Sequence, residues 1–406
     1  MSIADIALGV VVAALALVGY AYVGYPLALV TLAPFRRRAA GRRDERAVWP
    51  SISITVPVYN EAANIAAKLE RLLKLDYPAE RRQILVVSDA STDETEATAA
   101  TFADRGVELL RLPERRGKTA AENAARSLLR GEIVVNTDAS VEIHPGALKA
   151  LVAAFADATV GVASGRDVSV TKAQESLNLG ESGYVGYEMW VRRLETRVYG
   201  LVGVSGCLYA IRKPLHMDLV PEALSRDFAA ALIAREHGCR AVSVQEAICF
   251  VPRTASLRTE YRRKVRTMTR GLETLWYKRG LLNPLRYGVF AWLLFSHKLC
   301  RWLVPWALVA LPPALAALAI ARPWARWALA AQGLGLLAGG VGWLWPEHRQ
   351  APKVVSFGAY LIAAVVAGLH AWLNALRGEL NPVWEPTRRE GTRASSRSQS
   401  GAVLGR

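Results

Sequence analysis

The chain has 406 residues, 52% of them hydrophobic, and a formal charge of +16 at neutral pH, a length that allows more than one ordinary domain. A basic excess spread over a soluble surface would suit nucleic acid, but here it sits in segments 36–46, 258–286 and 377–406, each bordering a long apolar run. Anionic headgroups attract basic residues beside a membrane span, so membrane lipids are the expected partner and nucleic acid is excluded.

From Ile6 to Leu32 there is no charged residue, which exceeds the ~20 residues that span a bilayer. A signal peptide carries basic residues before its apolar core; here Arg36, Arg37, Arg38, Arg42, Arg43 and Arg46 follow it, so the run reads as a retained transmembrane helix. The same cluster places the next segment in the cytosol. At the other end Leu303–Ile320, Trp327–Trp345 and Val354–Leu376 form a C-terminal membrane bundle, interrupted by ARPWAR and PEHRQAPK. One span and three more would leave the basic tail EPTRREGTRASSRSQS outside, against its charge bias, unless one run does not cross or Tyr287–Ser296 dips into the membrane. After Pro386 the chain is polar, rich in Ser and Arg, and expected to be disordered. Cys207, Cys239, Cys249 and Cys300 show no CxxC pairing and the histidines no HxxxH spacing, which points to a reduced compartment without a zinc site.

Between Pro50 and Pro252 apolar, β-branched runs alternate with helical stretches. SISITVPVYN, QILVVSDAS, VELLRLPE and EIVVNTDAS read as strands; Ile65, Leu69, Leu72 and Leu73 recur at helical spacing after the first, and TDETEATAATFADRG, KTAAENAARSLLR and HPGALKALVAAFAD read as helices after the others. That alternation predicts an α/β fold with a mainly parallel, doubly wound sheet. Ligands of such sheets gather at the carboxyl ends of the strands. Asn60 and Glu61 follow the first strand, Asp89 the second and Asp138 the fourth, so three acidic residues converge on one rim. No GxGxxG follows the first strand, which excludes a dinucleotide site. In SLRTEYRRKVRTMTRGLETLW, Leu257, Tyr261, Val265, Met268, Leu272 and Leu275 mark one apolar helix face, with Arg263, Arg266 and Arg270 roughly opposite. Such a helix lies at a membrane surface and turns guanidinium groups toward phosphates, or toward solvent.

VPVYNE, VVSDASTDET, RRGKTAAENAA, NTDAS, VSGCLYAIRK, LSRD and YRRKVRT occur in the order shown by the family 2 glycosyltransferases, and the chain resembles their membrane-embedded branch, which includes cellulose and hyaluronan synthases. The resemblance implies a cytosolic GT-A domain, Rossmann-like, and inverting transfer from a nucleotide sugar. It divides the chain into an anchor (1–35), the GT-A domain (36–255), interface helices (256–300), a bundle (301–376) and a basic tail (377–406). It implies that Pro57, Asn60, Glu61, Asp89 and Lys118 face the nucleotide, uridine by preference, carboxylates suiting base N–H and ribose hydroxyls as pure acceptors. The family's second loop has adjacent acids and a glycine where this chain reads Ser88-Asp89-Ala90.

NTDAS stands in the place of the family's D-x-D motif, so Asp138 is the expected ligand of Mg²⁺ or Mn²⁺. Mg²⁺ commonly keeps waters and shares substrate phosphates, so few protein ligands suffice. Ser140 replaces the second acid and reads as the N-cap of the segment VEIHPG; Glu142 is the alternative second group. Asp227 in LSRD takes the position of the general base, which removes the acceptor hydroxyl's proton during attack on the anomeric carbon; read on its own it caps the helix FAAALIAREHG. Ser205, Gly206 and Cys207 resemble the acceptor-side loop, where a small residue permits close approach. Arg263, Arg266 and Thr267 stand at the Gln, Arg and Trp of the family's QxxRW, and the missing tryptophan weakens a processive reading. Arg263, Arg266 and Arg270 would stabilise the departing diphosphate.

The expectation is a multi-pass enzyme of a bacterial-type inner membrane, its catalytic domain cytosolic, transferring a hexosyl or N-acetylhexosaminyl group from a UDP-sugar to a lipid-linked or saccharide acceptor. The alternatives are a processive polysaccharide synthase that translocates its product and a catalytically silent scaffold. A transporter is disfavoured by the sparse intramembrane charge.

Overall fold

The computed structural model describes residues 2–36, 49–170, 179–252, 257–345 and 352–379. The expectations for Arg37–Arg46, the PEHRQ break and the disordered tail lie outside those residues.

Eight strands form one sheet in the order β3-β2-β1-β4-β7-β6-β8-β5: β1 Ile52–Val58, β2 Arg82–Ser88, β3 Val107–Arg111, β4 Ile133–Thr137, β5 Glu142–Ile143, β6 Val160–Val170, β7 Leu208–Arg212 and β8 Arg240–Pro252. The β1–β2, β2–β3, β1–β4 and β6–β8 pairs are parallel, whereas β7 runs antiparallel to both neighbours and β5 antiparallel to β8. The fold is thus the expected mainly parallel α/β sheet of GT-A type. Strand alternation sends Ile84 and Val86 into one buried layer and Leu85 and Val87 into the other. Each layer is covered by helices, as a parallel sheet requires. Helices α2 (Ala62–Leu73) and α5 (Ala147–Ala153) cover the first; α4 (Lys118–Ala125) and α7 (Arg226–Glu236) cover the second. Helix α3 (Thr95–Ala100) is shorter than its sequence run suggested.

Register determines what reaches the rim. Val58 pairs with Ser88, Ser88 with Arg111 and Thr55 with Asn136, so the loops after β1, β2 and β4 emerge side by side. Because β7 is antiparallel and Thr137 pairs with Leu208, the loop entering β7, which holds Ser205–Cys207, reaches the same rim opposite Asp138. The expected N-cap at Ser140 is corrected: the next helix is α5, capped at Gly146, because Glu142 and Ile143 pair with β8 instead of starting a helix.

Among the described residues three helices are long and apolar enough to cross a membrane: α1 (Ile3–Phe35), a helix Val289–Ala319, and Val354–Arg377. The helix before the last two, α8 (Leu257–Tyr277), follows α6 (Leu179–Val198) and α7 in chain order; after it come α9 (Val289–Ala319), α10 (Pro323–Trp343) and α11 (Lys353–Arg377). The Trp327–Trp345 run, expected to cross, is α10 and is not among those three, while from Val289 on the Tyr287–Ser296 stretch is the first part of α9. Ala7, Val11 and Ala14 of α1 pack on Leu311, Ala314, Leu315 and Leu318 of α9. Outward faces stay apolar and exposed, with Leu15 at 57%, Trp327 at 77% and Val354 at 76%. An apolar surface of that extent is the mark of a lipid-facing or partner-facing region.

Candidate functional site

At the strand-end rim Asp138, Lys118, Gly206 and Asp227 come together. Lys118 is the first residue of α4, and its Nζ donates to Asp138 Oδ1 at 2.5 Å and to the Gly206 carbonyl at 3.2 Å. A Cβ added at Gly206 would lie 2.5 Å from Asp227 Oδ2, so the loop entering β7 rests directly on that carboxylate, and a side chain there would displace it. Asp227 stands in the first turn of α7, whose N-cap is Ser225; its Oδ1 accepts from the Ser225 hydroxyl and from the Phe228 backbone N–H. Burial disfavours the Lys118 ammonium, but Asp138, Glu122 and Asp227 together hold its pKa above the ordinary lysine value.

The loops around this cluster are tied to one another. Asp89 is buried, and its two oxygens accept from the backbone N–H groups of Arg116 and Gly117 at 2.8 Å each, which fixes the turn that delivers Lys118. Asn60 Oδ1 accepts from Thr92 N–H at 2.8 Å, and the Glu61 backbone N–H donates to Thr95 Oγ1 at 2.8 Å, binding the loop after β1 to the loop after β2. Pro57 lies within β1, paired with Val87. Asn60 and Ala90 both adopt left-handed backbone, φ 51° and 55°. A family glycine in place of Ala90 has this conformation as its physical reason.

In the loop entering β7 Ser205 Oγ donates to Asp167, 2.8 and 2.7 Å from its two oxygens; its backbone N–H donates to Ser164 Oγ at 3.0 Å, and Cys207 N–H donates to Ser205 Oγ at 3.2 Å. Arg270 of α8 reaches the α/β domain: it donates to Thr119 Oγ1 at 2.7 Å and to the carbonyls of Glu222 and Leu224. Arg263 forms a two-pronged pair with Glu260 of its own helix, 2.8 and 2.7 Å. Both are half-buried, which departs from a fully solvated basic face.

Three groups escaped the sequence reading. Lys68 of α2 is 4% exposed and donates to Val141 O at 2.7 Å and Thr137 Oγ1 at 3.2 Å, bracing the NTDAS turn from beneath. Its signal was its place three residues after Ile65 and four before Leu72, on the buried face of an amphipathic helix. Glu122 is 1% exposed, and neither oxygen has a hydrogen-bond partner; Arg226 Nε lies 3.8 Å away and Lys118 Nζ 4.0 Å away. Burial raises the Glu122 pKa against the pull of those two cations. Arg226, at a position where the family commonly has an acid, is thus a buried partner of Glu122 that also donates to Asn123 and the His216 carbonyl. Asp167, inside β6, carried no sequence signal.

Asp138 is the rim's candidate cation ligand. Its side chain is 24% exposed, and among the described residues no three His, Cys, Asp or Glu side chains gather as a closed cation site would require. One carboxylate on an open rim fits a hard divalent ion that takes its other oxygens from a diphosphate and water. It does not fit an ion resident in the free protein.

The α/β sheet, with a carboxylate, a lysine and a second carboxylate at its carboxyl rim, is of GT-A type. Residues 53–213 match the model described as Glycosyl transferase family 2. The mannosyltransferase PcManGT from Pyrobaculum calidifontis, solved with GDP-Man and Mn²⁺, is similar over 89% of this chain and 99% of its own, at 27% identity and a TM-score of 0.65. A Nostoc β-monoglucosyldiacylglycerol synthase is 26% identical over 176 residues, 42% of this chain and 38% of that protein. A Mycobacterium tuberculosis protein without an assigned function is 34% identical over 114 residues, 28% of this chain and 35% of that one. The matches thus span little more than a third of these curated relatives.

Proposed function

We propose that the chain is a membrane-bound inverting glycosyltransferase that passes a sugar from a nucleoside diphosphate sugar to a hydroxyl of a lipid-linked or saccharide acceptor. The observation that carries this reading is the contact of Gly206 with both Lys118 and Asp227, which joins the diphosphate side of the rim to the acceptor side. Asp227 takes the proton of the acceptor hydroxyl as its oxygen bonds to the anomeric carbon. The bond from that carbon to the diphosphate breaks on the opposite face, and its electron pair leaves with the diphosphate. Lys118 and Arg270 favour the departing charge, because fixed cations in a partly buried site act on developing anions without reorganising. A divalent ion, Mg²⁺ or Mn²⁺, held by Asp138 and the diphosphate would supply further charge there. Pro57, Asn60, Glu61 and Asp89 shape the nucleotide side, with Arg263 and Arg266 at its membrane edge; Ser205, Gly206 and Cys207 shape the acceptor side.

Uridine is the base that the loop carboxylates suit, while a guanosine donor is favoured by the GDP-Man complex of the Pyrobaculum enzyme. Three crossings would return Glu379 to the side of the α/β domain, and the basic composition of the sequence that follows supports a cytosolic domain. Full-length protein in nanodiscs, offered UDP- and GDP-hexoses and N-acetylhexosamines with Mn²⁺ or Mg²⁺, is expected to release nucleotide with one donor class. Products of a few sugars support limited transfer; a long polymer supports the synthase alternative. Release that is unchanged in Asp227→Asn would overturn the mechanism.

A further inference from the structure

We propose that Lys118 is an internal counter-ion that keeps Asp138 closed to a free divalent cation and yields it only when a nucleoside diphosphate takes over the ammonium, so that ion and nucleotide bind together or not at all. The proposal rests on the nucleotide-sugar reading above and concerns what this chain does where the second acid of the motif is Ser140.

Lys118 Nζ sits 2.5 Å from Asp138 Oδ1, with the two side chains only 18% and 24% exposed. Solvent screens such a pair less than a surface one, so the ammonium neutralises most of the charge that Asp138 itself offers a hard cation. A motif with two acids would keep one charge in reserve after pairing with lysine; this chain has one, and Asp138 is the residue that Lys118 occupies. The lysine also has somewhere to go. Glu122 Oε1 lies 4.0 Å from Nζ, is buried, and neither of its oxygens receives a hydrogen bond. A buried acceptor without a donor is costly, so a second position for the ammonium exists at Glu122. The Gly206 carbonyl, 3.2 Å from Nζ, offers a pivot that tethers the lysine in both positions. The arrangement is a two-state cation: on Asp138 in the free protein, and toward the diphosphate and Glu122 when nucleotide arrives.

Mn²⁺ binding, followed by electron paramagnetic resonance on full-length protein in nanodiscs, tests this without any turnover. Wild type alone is expected to bind Mn²⁺ weakly, and Lys118→Met at least about tenfold more tightly, since removing the ammonium uncovers a carboxylate that it neutralised at short range. Adding UDP or GDP should bring wild type to one tightly held ion per chain and improve Lys118→Met far less. Lys118→Arg, which keeps the charge, should exclude the free ion as wild type does and guards against a folding defect in the methionine variant; Asp138→Asn should bind Mn²⁺ weakly throughout. Equal nucleotide-free affinity in wild type and Lys118→Met, with UDP or GDP still bound, overturns the counter-ion role alone. Binding of neither nucleotide in any arm overturns the nucleotide-sugar reading and the proposal with it.

Discussion

Two charged clusters lie in this molecule, and they are built on opposite plans. At the strand-end rim one ammonium, Lys118, is shared among Asp138, Glu122 and the Gly206 carbonyl, and Asp138 has a single short ionic partner among the described residues. In the seam where α6 meets α1 and α9, partners are plentiful. Glu188 accepts from Arg192 at 3.1 Å and Arg301 at 2.8 Å and lies 3.0 Å from His297 Nε2, while Glu195 accepts from the Tyr25 hydroxyl and lies 2.5 Å from His297 Nδ1. Every member of the seam is 9% exposed or less. Both long apolar helices also carry a π-helical turn there, Tyr20–Gly24 in α1 and Phe295–Cys300 in α9, joined by a 2.7 Å contact of Tyr20 and Ser296 hydroxyls. Wide turns of this kind commonly serve a functional placement of side chains. A rim with few partners per charge can exchange them with a substrate; a seam with several can only be broken.

The largest expected effect separates those plans. Glu188→Ala leaves Arg192, Arg301 and His297 buried around a missing acid, and removing one partner of a buried ionic cluster typically costs about 3–5 kcal/mol. Thermal unfolding in detergent is expected to show a large drop in midpoint. Asp227→Asn should leave the midpoint where it is while lowering transfer by about 10²–10⁴, the usual worth of a general base. A Glu188→Ala variant as stable as wild type would mean that the seam does not hold the catalytic domain to its helices.

Lys68 sharpens the contrast from the rim side, because it is buried there with hydrogen bonds but no salt bridge among the described residues. Burial lowers its pKa from 10.5 to about 8, despite the charge of Asp138 acting the other way. The unfolded chain therefore binds a proton between those two values that the folded chain has lost, and stability should rise with pH across that window; below about pH 8 both states are protonated and the cost of burial is fully present. A tenfold difference in proton affinity between the folded and unfolded chain is worth about 1.4 kcal/mol, so the rise is at most a few kcal/mol. Lys68→Met should flatten the slope between pH 8 and 10, measured by denaturant unfolding. An unaltered slope would assign it to another group. At pH 7 the net change is smaller, since methionine leaves the Val141 carbonyl and the Thr137 hydroxyl without their donor.

The rim was legible in the sequence because its residues follow strands: Asn60, Glu61, Asp89 and Asp138 each sit just after a β-branched run, and parallel pairing brings such loops together. Asp227 was legible only through its neighbours in LSRD, as an acid in a helix's first turn is otherwise a capping residue. The seam was not legible, since Tyr25, Glu188 and His297 come from helices far apart in the chain and nothing local announces their meeting. Ser140 failed as a cap for a related reason: a two-residue edge strand pairs with β8 and overrides the local turn preference. Among the apolar runs, α10 stands apart from the other long helices because its apolar residues are diluted by glycine, Arg326 and Gln332.

The smallest expected effect concerns the two left-handed residues that aim the rim. Ala90 at φ 55° follows Asp89, and Asn60 at φ 51° precedes Glu61. Left-handed backbone costs an alanine about 1–2 kcal/mol, and a glycine gives back about 0.4–1 kcal/mol through its freer unfolded chain. Ala90→Gly should therefore stabilise the protein by roughly 0.5–1 kcal/mol, the balance of those terms. Asn60→Gly should do the reverse, because asparagine tolerates that conformation and its side chain ties the two loops through Thr92. Unfolding midpoints of the two variants should thus move in opposite directions. If the strain at Ala90 also keeps Asp89 locked on the Arg116 and Gly117 amides, Ala90→Gly will gain stability and lose nucleotide affinity together, which calorimetric titration with UDP or GDP detects. A gain in stability with unchanged affinity would make Ala90 plain strain, and would leave Asp89 to be held by its two hydrogen bonds alone.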